Sequence, residues 1–261
     1  KLVINSVDLA FKKDIDIIVE LIGGSDGAAK KLVFCALKNR KHVITANKAL
    51  ISKHGDELSS LAELNNVNLE YEASVAGGIP VIKTIKQGLI ANKISKIYGI
   101  LNGTTNYILS EMEKSNKSFS TVLNDAKQLG FAENNPISDI NGNDAAAKIR
   151  ILSSLAFGNK ISKNKILIEG IQNINLIDIF HARKLGYKIK LLSISEFKDK
   201  KLVERVHPCL LLKNSHIAHV NGVLNAVIID GTPVGRTILQ GEGAGPGPTT
   251  SALISGLYNV L

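Results

Sequence analysis

The sequence predicts an α/β protein with two parts, a parallel-sheet domain followed by an α+β domain built on an open mixed sheet. Three observations support this prediction. Apolar runs that stop at glycines alternate with helical stretches over the first 78 residues, helical patterns dominate residues 79–158, and short β-rich runs dominate residues 165–239. With 261 residues, 44% of them hydrophobic, the chain is long enough to bury a sizeable core.

The first part has the pattern of repeated βαβ units. Residues 14–24 (DIDIIVELIGG) form an apolar run that ends in two glycines, as expected for a buried parallel strand. A helix is predicted over residues 26–39, a strand over 41–48, a helix over 49–66 and a third strand over 67–78. This order predicts a parallel sheet with right-handed crossovers.

The second part changes from helical to β-rich patterns. Residues 79–158 are predicted to be mostly helical, and NGTTNYILSEMEK forms a turn that opens one of these helices. The later runs are separated by Gly, Asn and Lys turns, which favours an open mixed or antiparallel sheet covered by the preceding helices. At the end of the chain, a glycine-rich loop over residues 241–250 is predicted to lead into a final amphipathic helix.

Composition narrows the classes of partner. The formal charge is +9, but the lysines are scattered and aromatic residues make up only 5%, so we expect no nucleic-acid partner. An attraction for anionic small molecules explains the positive charge equally well. No apolar run reaches transmembrane length, so we expect no membrane partner. The two cysteines, Cys35 and Cys209, lack neighbours at metal-ligand spacing, which favours reduced thiols in a cytoplasmic protein.

The segment NGNDAAAKIRILSSLAFG contains the most informative pair of charges, Asp144 and Lys148. At about 100° per residue, Lys148 falls inside the apolar stripe of its helix and Asp144 borders that stripe. The stripe comprises Ile149, Ile151, Leu152, Leu155 and Ala156, whereas Arg150, Ser153 and Ser154 are predicted on the solvent side. Charges on a buried face must pair or take part in chemistry, because unpaired burial costs several kcal/mol. The pattern favours a functional lysine, with a structural buried pair as the alternative.

Two further acids, Glu133 and Asp139, lie in the loop that precedes this helix. Together with Asp144 they would suit the binding of a substrate ammonium and the orientation of a proton donor. The alternative is capping and turn chemistry, with Asn143 or Asp144 as the helix N-cap and Asp139 as a turn residue. For Glu133 and Asp139 the sequence leaves both interpretations open.

Three other segments have the composition of ligand sites. Asn102, Gly103 and Thr104 begin a helix whose N-terminus suits a carboxylate, although a plain N-cap gives the same pattern. The glycine-rich loop over residues 241–250 allows close approach of a flat or phosphorylated ligand, but it also suits a linker. Lys48 follows the carboxyl end of a parallel strand, where open α/β sheets bind ligands; a solvent-exposed lysine at a helix start is the alternative.

Seven segments, taken in order, resemble those of the homoserine dehydrogenase family. They are VELIGG, KHVITANKAL, LEYEASVAGGIPVI, GILNGTTNYIL, the run from GFAE to DAAAK, RVHP, and GEGAG with the PT and SA that follow it. The resemblance covers about residues 14–257. It implies a partial Rossmann-type domain and a homodimer formed through the second sheet. The implied reaction is the NAD- or NADP-dependent interconversion of L-homoserine and L-aspartate 4-semialdehyde, a step toward threonine, methionine and isoleucine.

The resemblance also implies roles for individual residues. Lys148 resembles the proton donor to the carbonyl oxygen, working beside Asp144. Lys48 resembles a catalytic lysine between the cofactor and the small-molecule substrate. Substrate binding is expected at Glu133 and Asp139, and also at the helix start formed by Asn102, Gly103 and Thr104.

Cofactor and cation sites are implied in the same way. The cofactor, NAD or NADP, is expected at Lys48, Gly23, Gly24, Gly243, Ala244 and Gly245. A monovalent cation, Na⁺ or K⁺, is expected at Glu72 and at the carbonyls of Val75, Gly77 and Ile79, with a structural role. The nucleotide-binding domain is expected to span residues 1–76, completed by residues 241–261, and the substrate-binding and dimerisation domain residues 77–240.

The chain departs from the family pattern at its ends. It begins with Lys, and no GxGxxG motif precedes the first predicted strand, so we expect a chain truncated at both ends that alone is inactive. Two rival interpretations stay open. One is a catalytically inactive binding or regulatory relative of the same fold, against which the intact Lys148, Asp144 and Glu133 argue. The other is aspartate-semialdehyde dehydrogenase, whose nucleophilic cysteine neither Cys35 nor Cys209 suits.

Overall fold

The computed structural model describes residues 6–161, 166–198 and 201–261. After a 3₁₀ turn over Ser6–Phe11, the first elements are β1 (Ile17–Glu20), α1 (Ala28–Lys38), β2 (His42–Thr45), α2 (Lys48–Leu64) and β3 (Leu69–Glu70). The strands form a parallel sheet in the order β1–β2–β3. The apolar runs therefore form the predicted βαβ arrangement, and this part of the prediction is confirmed. The burial predicted for the first run is wrong on one face of β1, because Val19 is 50% exposed and Leu21, just after the strand, is 62% exposed.

The third strand is much shorter than predicted and ends at Glu70. A 3₁₀ turn over Glu72–Ser74 replaces the remainder, with the Ser74 amide bonded to the Tyr71 carbonyl. The Glu72 carboxylate then accepts two backbone hydrogen bonds from the next helix. This capping contact spans ten residues or more, and periodicity does not reveal it.

The remaining elements build the second part of the molecule. In chain order they are α3 (Val81–Lys83), continued by a π-helical turn over Thr84–Gly88, β4 (Lys93–Ile100), α4 (Gly103–Ser115), α5 (Phe119–Gln128), α6 (Ile137–Ile140), α7 (Asn143–Phe157), β5 (Leu167–Ile168), α8 (Leu176–Lys184), β6 (Tyr187–Lys198), β7 (Lys201–Leu212), β8 (Leu224–Thr232), β9 (Gly235–Glu242) and α9 (Pro246–Val260).

The second sheet has six strands in the order β5–β7–β6–β4–β8–β9. Only β5 pairs in parallel with its neighbour β7, and the other pairs are antiparallel. An open mixed sheet was predicted, and this prediction is confirmed. Helices α4, α7 and α8 pack on one face of it, so helices cover the sheet as expected.

Two elements of this part were not predicted. Residues 79–158 are mostly helical, as expected, but they also contain β4, which lies in the sheet between β6 and β8; these long-range pairings determine its conformation. Helix α8 lies within a region predicted as β-rich. Its capping box does have a sequence signal: the Asn175 side chain accepts from the Asp178 amide, and the Asp178 carboxylate accepts from the Asn175 amide.

Helix α9 returns the end of the chain to the first sheet. It packs on β2, where Gly256 lies against the side chains of Ile44 and Glu70, and on the 3₁₀ turn that follows β3. This contact agrees with a nucleotide-binding domain that is completed by the last residues of the chain. The domain boundaries stay a prediction, and residues 1–5 lie outside the described residues. Among the described residues, no helix is long and apolar enough to span a membrane.

Candidate active site

The start of α7 places Asp144 and Lys148 on the buried side of the helix. Asp144 is 6% exposed and Lys148 is 8% exposed, as the helical projection predicts. The N-cap is Gly142 in a left-handed conformation (φ 87°), so the prediction of Asn143 or Asp144 as the N-cap is wrong. A Cβ at Gly142 would lie 3.0 Å from the Ile168 side chain, which favours glycine here.

One residue of the predicted solvent face of α7 is also buried. Ser153 is 1% exposed, and its hydroxyl shares a 2.8 Å hydrogen bond with the Ser195 hydroxyl. The prediction for Ser153 is wrong because β6 covers that side of the helix, and a single-helix projection does not reveal a neighbouring sheet.

The Lys148 ammonium has two acceptors in the described part of the chain. Its Nζ lies 2.8 Å from Asp144 Oδ2 and donates to the Leu101 carbonyl at 2.8 Å. An ammonium has three N–H donors, so one remains for a ligand. The structure therefore provides a buried lysine that is oriented by two contacts and still has a proton to donate.

Asp144 links this lysine to the other predicted site residues. Its Oδ1 lies 2.9 Å from Lys48 Nζ, and its Oδ2 accepts from Asn102 Nδ2 at 2.9 Å. The same Asn102 amide donates to Asp139 Oδ1 at 2.8 Å, while Asn102 Oδ1 caps α4 by accepting from the Thr105 amide. Asn102 is thus both the helix N-cap and a bridge between the two aspartates.

The electrostatics of this cluster follow from its charges. Burial opposes ionisation of Asp144, but Lys148 and Lys48 outweigh it and hold the pKa of Asp144 far below its usual range. Burial tends to lower the pKa of Lys48, and Asp144 more than offsets this, so the pKa of Lys48 is raised. Burial, together with the charge of Asp144, raises the pKa of Asp139. Asp144 is consequently ionised throughout the neutral range.

Glu133, Gly103 and Thr104 lie around this cluster. Glu133 is exposed, and its charge contributes to the raised pKa of Lys48. The Thr104 hydroxyl donates to the Phe131 carbonyl at 2.7 Å and so holds the loop that contains Glu133 against the start of α4. A Cβ at Gly103 would lie 2.7 Å from the Val223 carbonyl, so glycine allows this close approach. Their role in substrate binding stays a prediction.

The residues predicted for the cofactor lie around the first sheet. Gly23 (φ 82°) and Gly24 (φ 80°) follow the carboxyl end of β1, and a Cβ at either would enter open space. Lys48 follows the carboxyl end of β2. Gly245 (φ 114°) precedes the first turn of α9. Glycine backbone without nearby side chains at this edge, together with the N-terminus of α9, fits a dinucleotide.

The glycine-rich loop before α9 is shorter than the predicted span of residues 241–250. Strand β9 continues through Glu242 and α9 begins at Pro246, so only Gly243, Ala244 and Gly245 form the loop. The amides of Gly77 and Gly78 donate to the carbonyls of Gly243 and Glu242, each at 3.0 Å. The loop is therefore attached to the segment after β3 and is not a free linker.

The predicted cation site is engaged by protein groups. The Glu72 carboxylate accepts from the Ile82 amide at 2.9 Å and the Lys83 amide at 2.8 Å, while burial raises its pKa. The Ile79 carbonyl accepts from the Val81 amide at 2.7 Å. The described residues contain no group of three or more His, Cys, Asp or Glu side chains suited to a metal ion. A monovalent cation at the carbonyls of Val75, Gly77 and Ile79 stays a prediction.

Sequence reasoning missed the Leu101 carbonyl as a partner of Lys148. Leu101 precedes the NGTTN segment, but which carbonyl meets the ammonium depends on how α7 packs on β4, which ends just before Leu101. With that contact in place, the fold and the site define a nucleotide-binding α/β protein. Its lysine–aspartate cluster lies beside the carboxyl edge of the parallel sheet.

The chain belongs to the homoserine dehydrogenase family. The family profile described as "Homoserine dehydrogenase" matches residues 80–257, and the one described as "Homoserine dehydrogenase, NAD binding domain" matches residues 2–72. The homoserine dehydrogenase of Neisseria gonorrhoeae is 46% identical over 253 residues, which cover 97% of this chain and 58% of the relative. The chain thus spans a little under three fifths of the curated relatives it matches.

Solved structures agree with this assignment. A homoserine dehydrogenase from Thiobacillus denitrificans is 45% identical, with a TM-score of 0.95 over 98% of this chain and 59% of that chain. A hyperthermophilic archaeal homoserine dehydrogenase in complex with NADPH is 26% identical, with a TM-score of 0.85 over 98% of this chain and 75% of that chain. The family predicted from the sequence motifs is confirmed.

Proposed function

We propose that the protein interconverts L-homoserine and L-aspartate 4-semialdehyde with NAD or NADP, a step in the biosynthesis of threonine, methionine and isoleucine. The observation that carries the proposal is the buried Lys148 ammonium, held between Asp144 and the Leu101 carbonyl with a donor to spare. Family membership supports the reaction, and the NADPH complex of the archaeal relative supports the cofactor class.

The chemistry follows from the charges in the cluster. When bound, the nicotinamide cofactor supplies the hydride, which leaves negative charge on the carbonyl oxygen of the aldehyde. Lys148 donates the matching proton to that oxygen through its remaining N–H. Asp144 stays ionised and keeps its second partner, Lys48, at 2.9 Å, so the carboxylate remains paired after Lys148 has given up its proton.

Substrate and cofactor would occupy opposite sides of this cluster. Glu133 and Asp139 provide negative charge for the substrate amino group, next to Asn102 and the N-terminus of α4. Gly23, Gly24 and Gly245 provide open backbone for the cofactor, and Lys48 provides positive charge. Gly243 and Ala244 complete the loop before α9, and a Cβ at Gly243 would collide with the Asn225 side chain. A monovalent cation at the carbonyls after β3 would stabilise the conformation of that segment.

We also infer a cytoplasmic homodimer that uses the second sheet. Helices cover one face of this sheet. The opposite face carries a separate apolar cluster with partly exposed members, among them Tyr98, Cys209 and Leu211, and Ile238 beside it is 42% exposed. An apolar face of this kind suits a second copy of the chain.

The rival dehydrogenase of aspartate semialdehyde finds no support in the geometry. It needs a nucleophilic thiolate at the site. Burial raises the pKa of the Cys209 thiol to about 11, and Cys209 lies on β7. Cys35 lies in α1, and neither sulfur contacts the Lys148 cluster. An inactive relative is disfavoured because the lysine–aspartate cluster is complete.

The proposal is tested with the purified protein in its longest natural form. We expect L-aspartate 4-semialdehyde to drive oxidation of NADPH or NADH, and L-homoserine to drive the reverse reaction, with homoserine identified as the product by mass spectrometry. Phosphate or arsenate dependence with an acyl product would favour the rival dehydrogenase. Cofactor binding without turnover of either substrate would favour an inactive relative.

A further inference from the structure

Glu20 is a buried carboxylate that the proposed reaction does not use. It is the last residue of β1 and is 0% exposed. Its Oε1 accepts from the Ile22 amide at 2.7 Å and from the Gly23 amide at 3.0 Å, and its Oε2 accepts from the Thr45 hydroxyl at 2.6 Å. Among the described residues no lysine, arginine or histidine pairs with it, so neutral donors alone hold the charge.

The same hydrogen bonds connect two loops at the carboxyl edge of the parallel sheet. The Thr45 hydroxyl, which donates to Glu20, accepts from the Asn47 amide at 2.9 Å. Asn47 Nδ2 donates to the Gly24 carbonyl at 2.8 Å and approaches Glu20 Oε1 at 3.5 Å. Asn47 is also the N-cap of α2, which begins at Lys48. Glu20 thus joins the glycine loop after β1 to the residue that precedes Lys48.

We propose that Glu20 is a positioning residue, which fixes the glycine loop and the start of α2 relative to each other so that both meet a nicotinamide cofactor. This inference rests on the proposed function. Glu20 acts through the Ile22 and Gly23 amides and through Thr45 and Asn47, and its own carboxylate faces away from solvent.

A carboxylate is required here because it is the acceptor in each of the hydrogen bonds described above. The Thr45 hydroxyl already accepts from the Asn47 amide, so its proton must point to Glu20 Oε2. A glutamine in place of Glu20 would direct an N–H group at one of these donors and break part of the network. The loops would then lose their common anchor while the strands of the sheet stay paired.

The test compares four single variants of the protein in its longest natural form, together with the double variant Glu20→Gln/Thr45→Val. Glu20→Gln and Thr45→Val each remove one link with little change in size, and Thr45→Ser keeps the hydroxyl. Glu70→Gln is the matched control, because Glu70 is on β3 of the same sheet and its contact is with Asn259 instead. Hydrogen exchange measured without cofactor and the KM for NADPH are the two readouts.

We expect Glu20→Gln to speed amide exchange in residues 21–25 and 45–48 by roughly tenfold and to raise the KM for NADPH by a similar factor, with a smaller change in kcat. Thr45→Val should affect the Asn47 amide in the same way, and the double variant should be no worse than the worse single one. Thr45→Ser and Glu70→Gln should resemble wild type.

Two results would overturn the inference. Exchange in both loops could be unchanged in Glu20→Gln, or it could rise while the KM for NADPH stays within twofold of wild type, which would assign Glu20 to stability alone. If wild type oxidises no NADPH, the proposed function fails, whereas the exchange readout still decides whether Glu20 anchors the two loops.

Discussion

Two buried lysines, Lys148 on α7 and Lys190 on β6, lie in different surroundings around the second sheet. Lys148 on α7 pairs with the Asp144 carboxylate, which in turn holds a second ammonium, that of Lys48. Lys190 on β6 is 1% exposed and has no carboxylate partner among the described residues. The first lysine therefore belongs to a charged cluster and the second to a neutral one.

The neutral cluster around Lys190 consists of oxygen acceptors. Its Nζ lies 2.9 Å from Asn106 Oδ1, 2.9 Å from Ser110 Oγ, 2.7 Å from the Val220 carbonyl and 3.1 Å from Asn221 Oδ1. These groups come from α4 and from the loop before β8, so the ammonium holds the helix against that loop. Four acceptors exceed its three donors, and no donor remains for a ligand.

The difference teaches that burial alone does not mark a catalytic lysine. A proton donor needs a counter-ion that keeps it charged and an N–H that is free to reach the substrate. Lys148 has both. Lys190 has neither, and burial, with Lys188 nearby, lowers its pKa to about 7.

The largest expected effect is the loss of kcat when Lys148 is replaced. Lys148→Met should lower kcat by about 10²- to 10⁴-fold, because the developing charge on the substrate oxygen loses its proton donor. The KM for the cofactor should change little. Steady-state oxidation of NADPH with aspartate semialdehyde measures both quantities.

Lys53→Met is the control for that variant. Lys53 is an exposed lysine of α2 whose partner in the described part of the chain is the exposed Asp26, so its removal should leave kcat unchanged. A comparable loss of kcat in both variants would point to a general effect of lost positive charge.

A second prediction concerns Asp144, the counter-ion of Lys148. Asp144→Asn leaves the buried Lys148 ammonium without its carboxylate, so the free energy of unfolding should fall by about 3–5 kcal/mol. Urea denaturation at neutral pH measures the change. Asp26→Asn, at an exposed pair, should leave the free energy of unfolding nearly unchanged. Equal stability of the two variants would contradict the assigned role of Asp144.

The smallest expected effect is the pH dependence of the neutral cluster. In the unfolded chain a lysine titrates near pH 10.4, whereas the pKa of folded Lys190 is about 7. Between these values the unfolded chain binds more protons, so Lys190 makes the free energy of unfolding rise with pH across that window. Below pH 7 its unfavourable contribution is fully present. Urea titrations at pH 7 and pH 9.5 should show a smaller rise for Lys190→Met than for wild type and Lys53→Met; an equal rise would contradict the prediction.

Much of the fold could be predicted because its signals are local. The apolar runs of β1 and β2, the glycines after β1 and the periodicity of α7 each lie within a dozen residues or so. Strand β4 could not be predicted in the same way. Its lysines alternate with isoleucines in KISKIYGI, and its conformation depends on pairing with β6 and β8, about 100 residues or more away.

The candidate site divides in the same way. The burial of Asp144 and Lys148 follows from a single helix, so the projection reveals it. The contacts of Lys148 with the Leu101 carbonyl and of Asp144 with Lys48 join segments 47 and 96 residues apart, and only packing reveals them. Lys190 was missed because alternation in YKIKLLSIS is typical of a strand whose lysines face solvent.

The most direct measurement compares the kcat of Lys148→Met with that of Lys190→Met. Both are measured with aspartate semialdehyde and NADPH, below the melting temperature of each variant. The account predicts a loss of at least about 100-fold for Lys148→Met and a change of no more than about threefold for Lys190→Met. Near-wild-type turnover by Lys148→Met would contradict it.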